Sequence, residues 1–183
     1  MGTRGVIARK TDKGFTGVYH HWDSYPDGLG QTLFNLYNEQ FKHDLKAMLK
    51  TLIDDHPAGW STINGKDFSL EPGWVDTISS KVVVESLKPQ CYCHGVRHEE
   101  GCVFDETNAS GSGCEWAYVF DEIAKTMEVY ASIISEETAT NLNLPKGTKM
   151  IGAFGCGDEH GVWVRVYTVN LEKSAPIWNE ITV

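Results

Sequence analysis

The sequence predicts an α+β fold: an antiparallel β-sheet packed on one long helix, with a Cys/His-rich loop subdomain. Three observations lead there. Apolar residues recur at helical spacing from Leu29 to Leu52, the last third alternates like paired strands, and Cys91 to Cys114 concentrates thiols and imidazoles in a core-poor stretch. At 183 residues, 41% of them hydrophobic, the chain has material for a single domain spanning 1–183, with 88–114 as a metal-binding loop insertion.

The elements follow in chain order. Gly5 to Lys10 reads as a strand, Thr11 to Gly14 as a turn and Phe15 to His21 as the returning strand, which makes an N-terminal hairpin. Asp23 to Gly30 is rich in turn formers and leads into the helix expected from Gly28 to Asp54, with Asp27 as its N-cap. Leu29, Leu33, Leu36, Tyr37, Phe41, Leu45, Met48, Leu49 and Leu52 form its apolar stripe, and Pro57 forces an end. Pro57 to Gly73 is irregular. Trp74 to Leu87 is ambiguous between a helical turn and a strand through Val82-Val83-Val84. Glu115–Phe120, Met127–Ile133, Lys149–Phe154 and Val162–Leu171 read as strands, the last apolar on both faces and so covered on both.

Composition excludes some functions. The net charge of −9 and the scattered Lys and Arg disfavour a nucleic-acid surface. No apolar run is long enough for a membrane span, and no apolar leader opens the chain, so a cytoplasmic protein is expected. Five cysteines cannot all pair, which favours thiols or thiolate ligands.

The Cys91–Cys114 window points to zinc, which takes about four thiolate or imidazole ligands. Cys91, Cys93, Cys102 and Cys114 are the first expected set. A set with His98 replacing one cysteine is the rival, and His94 is a further candidate one helical turn before His98. The stretch between them is rich in glycine and serine, so metal ligation would be what orders it. The alternative is buried thiols beside surface histidines. Four thiolates would make a closed, structural site.

The segment Tyr19 to Gly30 is the second concentration of chemistry. His20 or His21 beside Asp23 would form an imidazole–carboxylate pair, with Arg4 near on the paired strand. Gly28 and Gly30, together with Tyr25, would bring a helix N-terminus and close backbone approach to an anion. In the alternative, Trp22 and Tyr25 plug the core and the glycines serve a tight turn. Asp54-Asp55-His56 reads as a helix end, and Cys156-Gly-Asp158-Glu159-His160 as a hairpin tip.

Gly2-Thr-Arg-Gly5, Tyr19-His-His-Trp-Asp-Ser-Tyr-Pro-Asp-Gly-Leu-Gly30, Cys91-Tyr-Cys-His94 and Glu115-Trp-Ala-Tyr-Val119 together resemble small uncharacterised proteins of bacteriophage and actinobacterial genomes. The resemblance implies an accessory role, in host takeover or counter-defence, by binding a host protein. The expected function is therefore zinc-stabilised binding of a host protein or a small anionic ligand. A small hydrolase or transferase using His20 or His21 with Asp23 is the alternative, and a structural virion component a third.

Overall fold

A computed structural model describes residues 2–73, 87–95, 97–152 and 161–183. The strands are β1 (Arg4–Lys10), β2 (Phe15–His20), β3 (Trp60–Thr62), β4 (Gln90–Cys91), β5 (Phe104–Asp105), β6 (Cys114–Asp121), β7 (Thr126–Ile133), β8 (Met150–Ile151) and β9 (Val162–Asn170). Among the described residues they form one nine-stranded sheet in the order β4-β3-β2-β1-β6-β7-β9-β8, with β5 on β2.

The sheet is mixed and not antiparallel, which corrects the expected class. β1 and β2 form the expected hairpin, Ile7 opposite Val18. On its other side β1 runs parallel to β6, Ile7 beside Tyr118, and β2 runs parallel to β3. Hairpin signals are local, whereas parallel partners lie far apart in sequence and leave no local trace.

The single helix from Gly28 to Asp54 is also overturned. Helical chain over 26–40 comprises a wide π-type turn at Pro26–Gly30, helix α1 (Gln31–Asn35) and a second wide turn at Leu36–Gln40. There it stops: Lys42 and His43 take left-handed φ of 47° and 69°. Asp44 starts a new helix by accepting the Ala47 N–H at 2.9 Å, and α2 (Leu45–Leu49) continues through a π-type turn at Lys50–Asp54. The break keeps the apolar positions in phase, so the stripe looks continuous in sequence. A short α3 (Glu136–Asn141) lies after β7.

Alternation along the strands divides the core. Ile7, Val18, Tyr118, Phe120, Met127 and Val129 face the helical stripe of Leu29, Leu33, Tyr37, Met48 and Leu52. Val6, Ala8, Phe15, Ala117, Val119, Tyr130 and Trp163 point to the opposite face and pack with Ala109. The start of β9 is covered on both sides, since Val162 and Val164 form a third cluster with Ile133, Ala139 and Leu142. The ambiguous 74–86 stretch and the Cys156–His160 group lie outside the described residues.

Candidate metal centre and adjoining cleft

Two loops meet at the β3–β4 end of the sheet. The first leaves α2's terminal turn at Asp54 and runs His56-Pro57-Ala58-Gly59 into β3. The second leaves β4 as Cys91-Tyr92-Cys93-His94. The strands clamp them, with Trp60 opposite Cys91, and the Tyr92 N–H donates to Gly59 O at 3.0 Å. Gly59 has φ of 78°, and a Cβ there would stand 2.3 Å from Tyr19 O, so the first loop turns where only glycine fits.

The clamp brings ligand atoms of His56, Cys93 and His94 within 4.8 Å of one another, close enough to hold a metal ion. His56 is buried, and among the described residues its Nδ1 has no hydrogen-bond partner. An unmet buried polar atom costs about 1–3 kcal/mol, a cost that ligation would offset. Burial, then the neighbouring His94, pushes the His56 pKa down to about 4, so the ring is neutral and ready to ligate. Cys93 Sγ accepts the Ala58 N–H at 3.1 Å. Cys91 Sγ lies 3.4 Å from His94 Nδ1.

Cys93 alone of the five expected metal residues joins that cluster. Cys114 is buried beneath β1, its Sγ 3.8 Å from Gly5 O, and burial pushes its thiol up to about 12 against the opposing Arg4 charge. Cys102 is exposed, and its nearest partner is Val103 O at 3.9 Å. His98 is exposed with left-handed φ of 50°. The loop before Cys114 is held by hydrogen bonds of its own. Asp105 Oδ1 accepts from the Thr107 and Asn108 N–H groups, Asn108 Nδ2 donates to Val103 O, and Ala109 is buried. His56 escaped the sequence reading because it sits beside Asp54 and Asp55, which look like a helix end. Arg9 and Lys50 bind those two acids, while the imidazole turns inward.

The expected catalytic group separates in the same way. His20 is fully buried. Its Nε2 accepts the Ile63 N–H at 3.2 Å, so its Nδ1 carries the proton toward Ser24 Oγ at 2.8 Å. Burial, then His21, pushes its pKa down to about 3. Both nitrogens are engaged, which is the pattern of a structural histidine. Asp23 is exposed with φ of 53°, and its backbone oxygen, not its carboxylate, is held, accepting from Asn64 Nδ2 and the Leu29 N–H. The anion site expected at Gly28 and Gly30 is filled by the chain itself. Both of their N–H groups donate to Tyr25 O, and a Cβ on Gly28 would meet Asp23 O at 2.4 Å.

His21 and Arg4 face outward and line a cleft of about 650 Å³ with Tyr19, Trp22, Tyr92 and Arg97. Burial pushes the Tyr19 phenol up to about 12 against the opposing Arg4 charge. The Tyr19 oxygen lies 2.6 Å from His21 Nδ1. Where the phenol donates to Nδ1, the ring proton of a neutral His21 sits at Nε2. Burial, then Arg4, then Arg97 lowers the His21 pKa. Arg97 also lies 5.2 Å from the centroid of the Tyr92 ring. Trp22 and Tyr25 are exposed, and both line a second cleft that shares Arg4 and His21. Ala58 and Tyr92, each inside one of the metal-cluster loops, form one wall of the main cleft.

Among the described residues, no helix is long and apolar enough to cross a membrane. Compared with family models, curated proteins and solved structures, the chain matches none.

Proposed function

We propose that this protein is a zinc-stabilised binding protein whose cleft between Arg4 and Arg97 takes a small anionic ligand with a flat ring. The observation that carries the reading is that Arg4, Arg97 and His21 line one cleft, Arg97 also pairing with Glu99 at 2.9 Å. Both charges acting on that imidazole are guanidiniums, and both oppose its protonation. A neutral His21 with its proton on Nε2 adds a donor, and Arg4 lies over Gly113, where a Cβ would come within 2.8 Å of its Nη1. The exposed Trp22 supplies a ring face for stacking. Glu99 and Glu100 on the rim disfavour a polyanion. Zinc suits the mixed thiol and imidazole donors of His56, Cys93 and His94. In the phage setting that the sequence resemblance implies, such binding would serve host takeover or counter-defence.

Adenosine monophosphate, benzoate and inorganic phosphate, titrated separately and followed by calorimetry and by quenching of the exposed Trp22, test the reading. The two ring-bearing anions are expected to bind and to outcompete phosphate. Arg4→Ala and Arg97→Ala should each weaken binding by roughly tenfold or more, as loss of a charged hydrogen bond of about 1.5–3 kcal/mol implies. Absence of binding by all three probes, or binding unchanged in both variants, would sink it.

A further inference from the structure

His56, Cys93 and His94 give three ligands, and three ligands leave a fourth position open to water or substrate. The geometry points to Cys91 as the fourth ligand, which closes the site as a structural Cys₂His₂ centre. This rests on the reading of the ion as zinc.

Two observations converge on Cys91, and a third places the ion beside it. Its Sγ is 3.4 Å from His94 Nδ1. Zinc–sulfur and zinc–nitrogen bonds of about 2.3 and 2.0–2.1 Å at a tetrahedral angle place neighbouring ligand atoms about 3.6 Å apart. The pair already has that spacing. The Cys93 sulfur accepts the Ala58 N–H at 3.1 Å. Second, Cys91 is anchored by strand pairing to Trp60 and is fully buried, so it would close the centre on the core side while the half-buried Cys93 and exposed His94 face out. Third, among the described residues the buried His56 Nδ1 has no partner, and its ring centroid is 4.9 Å from that of His94. Cys91 touches the other three through His94, so binding would draw its sulfur inward to the shared ion.

A closed site has no place for a metal-bound water. Its work would be to staple the 56–59 turn to the 91–94 turn, which positions Ala58 and Tyr92 in the cleft wall.

Cobalt(II) titration of the full-length, chelator-stripped protein, followed by displacement with zinc, tests this. Tetrahedral cobalt gives intense visible bands, and its near-ultraviolet charge-transfer intensity scales with the number of bound thiolates. Two thiolates are expected in the wild type. Cys91→Ser should remove half of that intensity and weaken zinc binding by more than the roughly 10–100-fold that losing an outer-shell partner costs. Cys102→Ser and Cys114→Ser should leave both readouts unchanged. One thiolate in the wild type would overturn the closed site while leaving zinc at an open three-ligand centre, and this count needs no variant to fold. Failure of the wild type to bind either ion would overturn the zinc reading itself.

Discussion

Acidification from pH 7 to pH 5 should cost this protein about 2 kcal/mol through His20 alone. The ring is fully buried, donates from Nδ1 to Ser24 Oγ and accepts the Ile63 N–H at Nε2. Protonating Nε2 would set two N–H groups against each other in a fully buried site, so burial holds the folded-state pKa down at about 3. In the unfolded chain a histidine titrates near 6.5. Above that value both states are neutral and His20 contributes no pH dependence. Below it the unfolded state gains a proton that the folded state refuses, so stability falls as pH falls, until the folded pKa is reached. At about 1.4 kcal/mol per pH unit, the interval from 6.5 to 5 amounts to about 2 kcal/mol. That is a readable part of the ~5–15 kcal/mol that stabilises a domain. Urea denaturation of the wild type and of His20→Gln at pH 7, 6 and 5 isolates the effect, because all other groups titrate in both. The variant should be less stable at pH 7, and the gap should narrow by about 2 kcal/mol at pH 5. A gap constant with pH would refute the argument, as would an imidazole resonance of His20 titrating near 6.5 in the folded wild type.

Three further outcomes are expected. Asp44→Ala should destabilise by about 1 kcal/mol in urea denaturation, because Asp44 caps the second helix; no change would mean that the break at Lys42-His43 is held by other contacts. Gly59→Ala should cost more than the ~1–3 kcal/mol of backbone strain alone, since φ is 78° and the new methyl would meet Tyr19 O, and a thermal shift below 2 °C would count against it. Chelation should speed hydrogen exchange at the amides of Ala58 and Tyr92, which bond to Cys93 Sγ and Gly59 O, while leaving β6 and β7 protected; equal protection with and without chelator would disconnect the metal from the cleft wall.

The sequence by itself determined the elements whose signals are local. The β1–β2 hairpin is set by a turn between two apolar runs, and the β6–β7 hairpin follows the same rule within a residue or two. The apolar stripe from Leu29 to Leu52 named the face that meets the sheet, and Cys91-Tyr92-Cys93-His94 marked one of the two loops that hold the candidate metal centre. The tertiary structure decided what depends on partners distant in the chain. Parallel pairing of β1 with β6 made the sheet mixed. The break at Lys42-His43 is invisible to periodicity because two short helices pack the same stripe in phase. Which polar residues are chemistry and which are scaffold was decided by burial: His20 went inside to hold Ser24 and Ile63, and its neighbour His21 was left in the cleft. His56 joined Cys93 across a separation of 37 residues because β3 pairs with β4, while Cys102 and Cys114 were carried elsewhere by the strands beside them. Spacing along a chain constrains a ligand set only where the backbone between the ligands is short; beyond that, strand pairing chooses the partners.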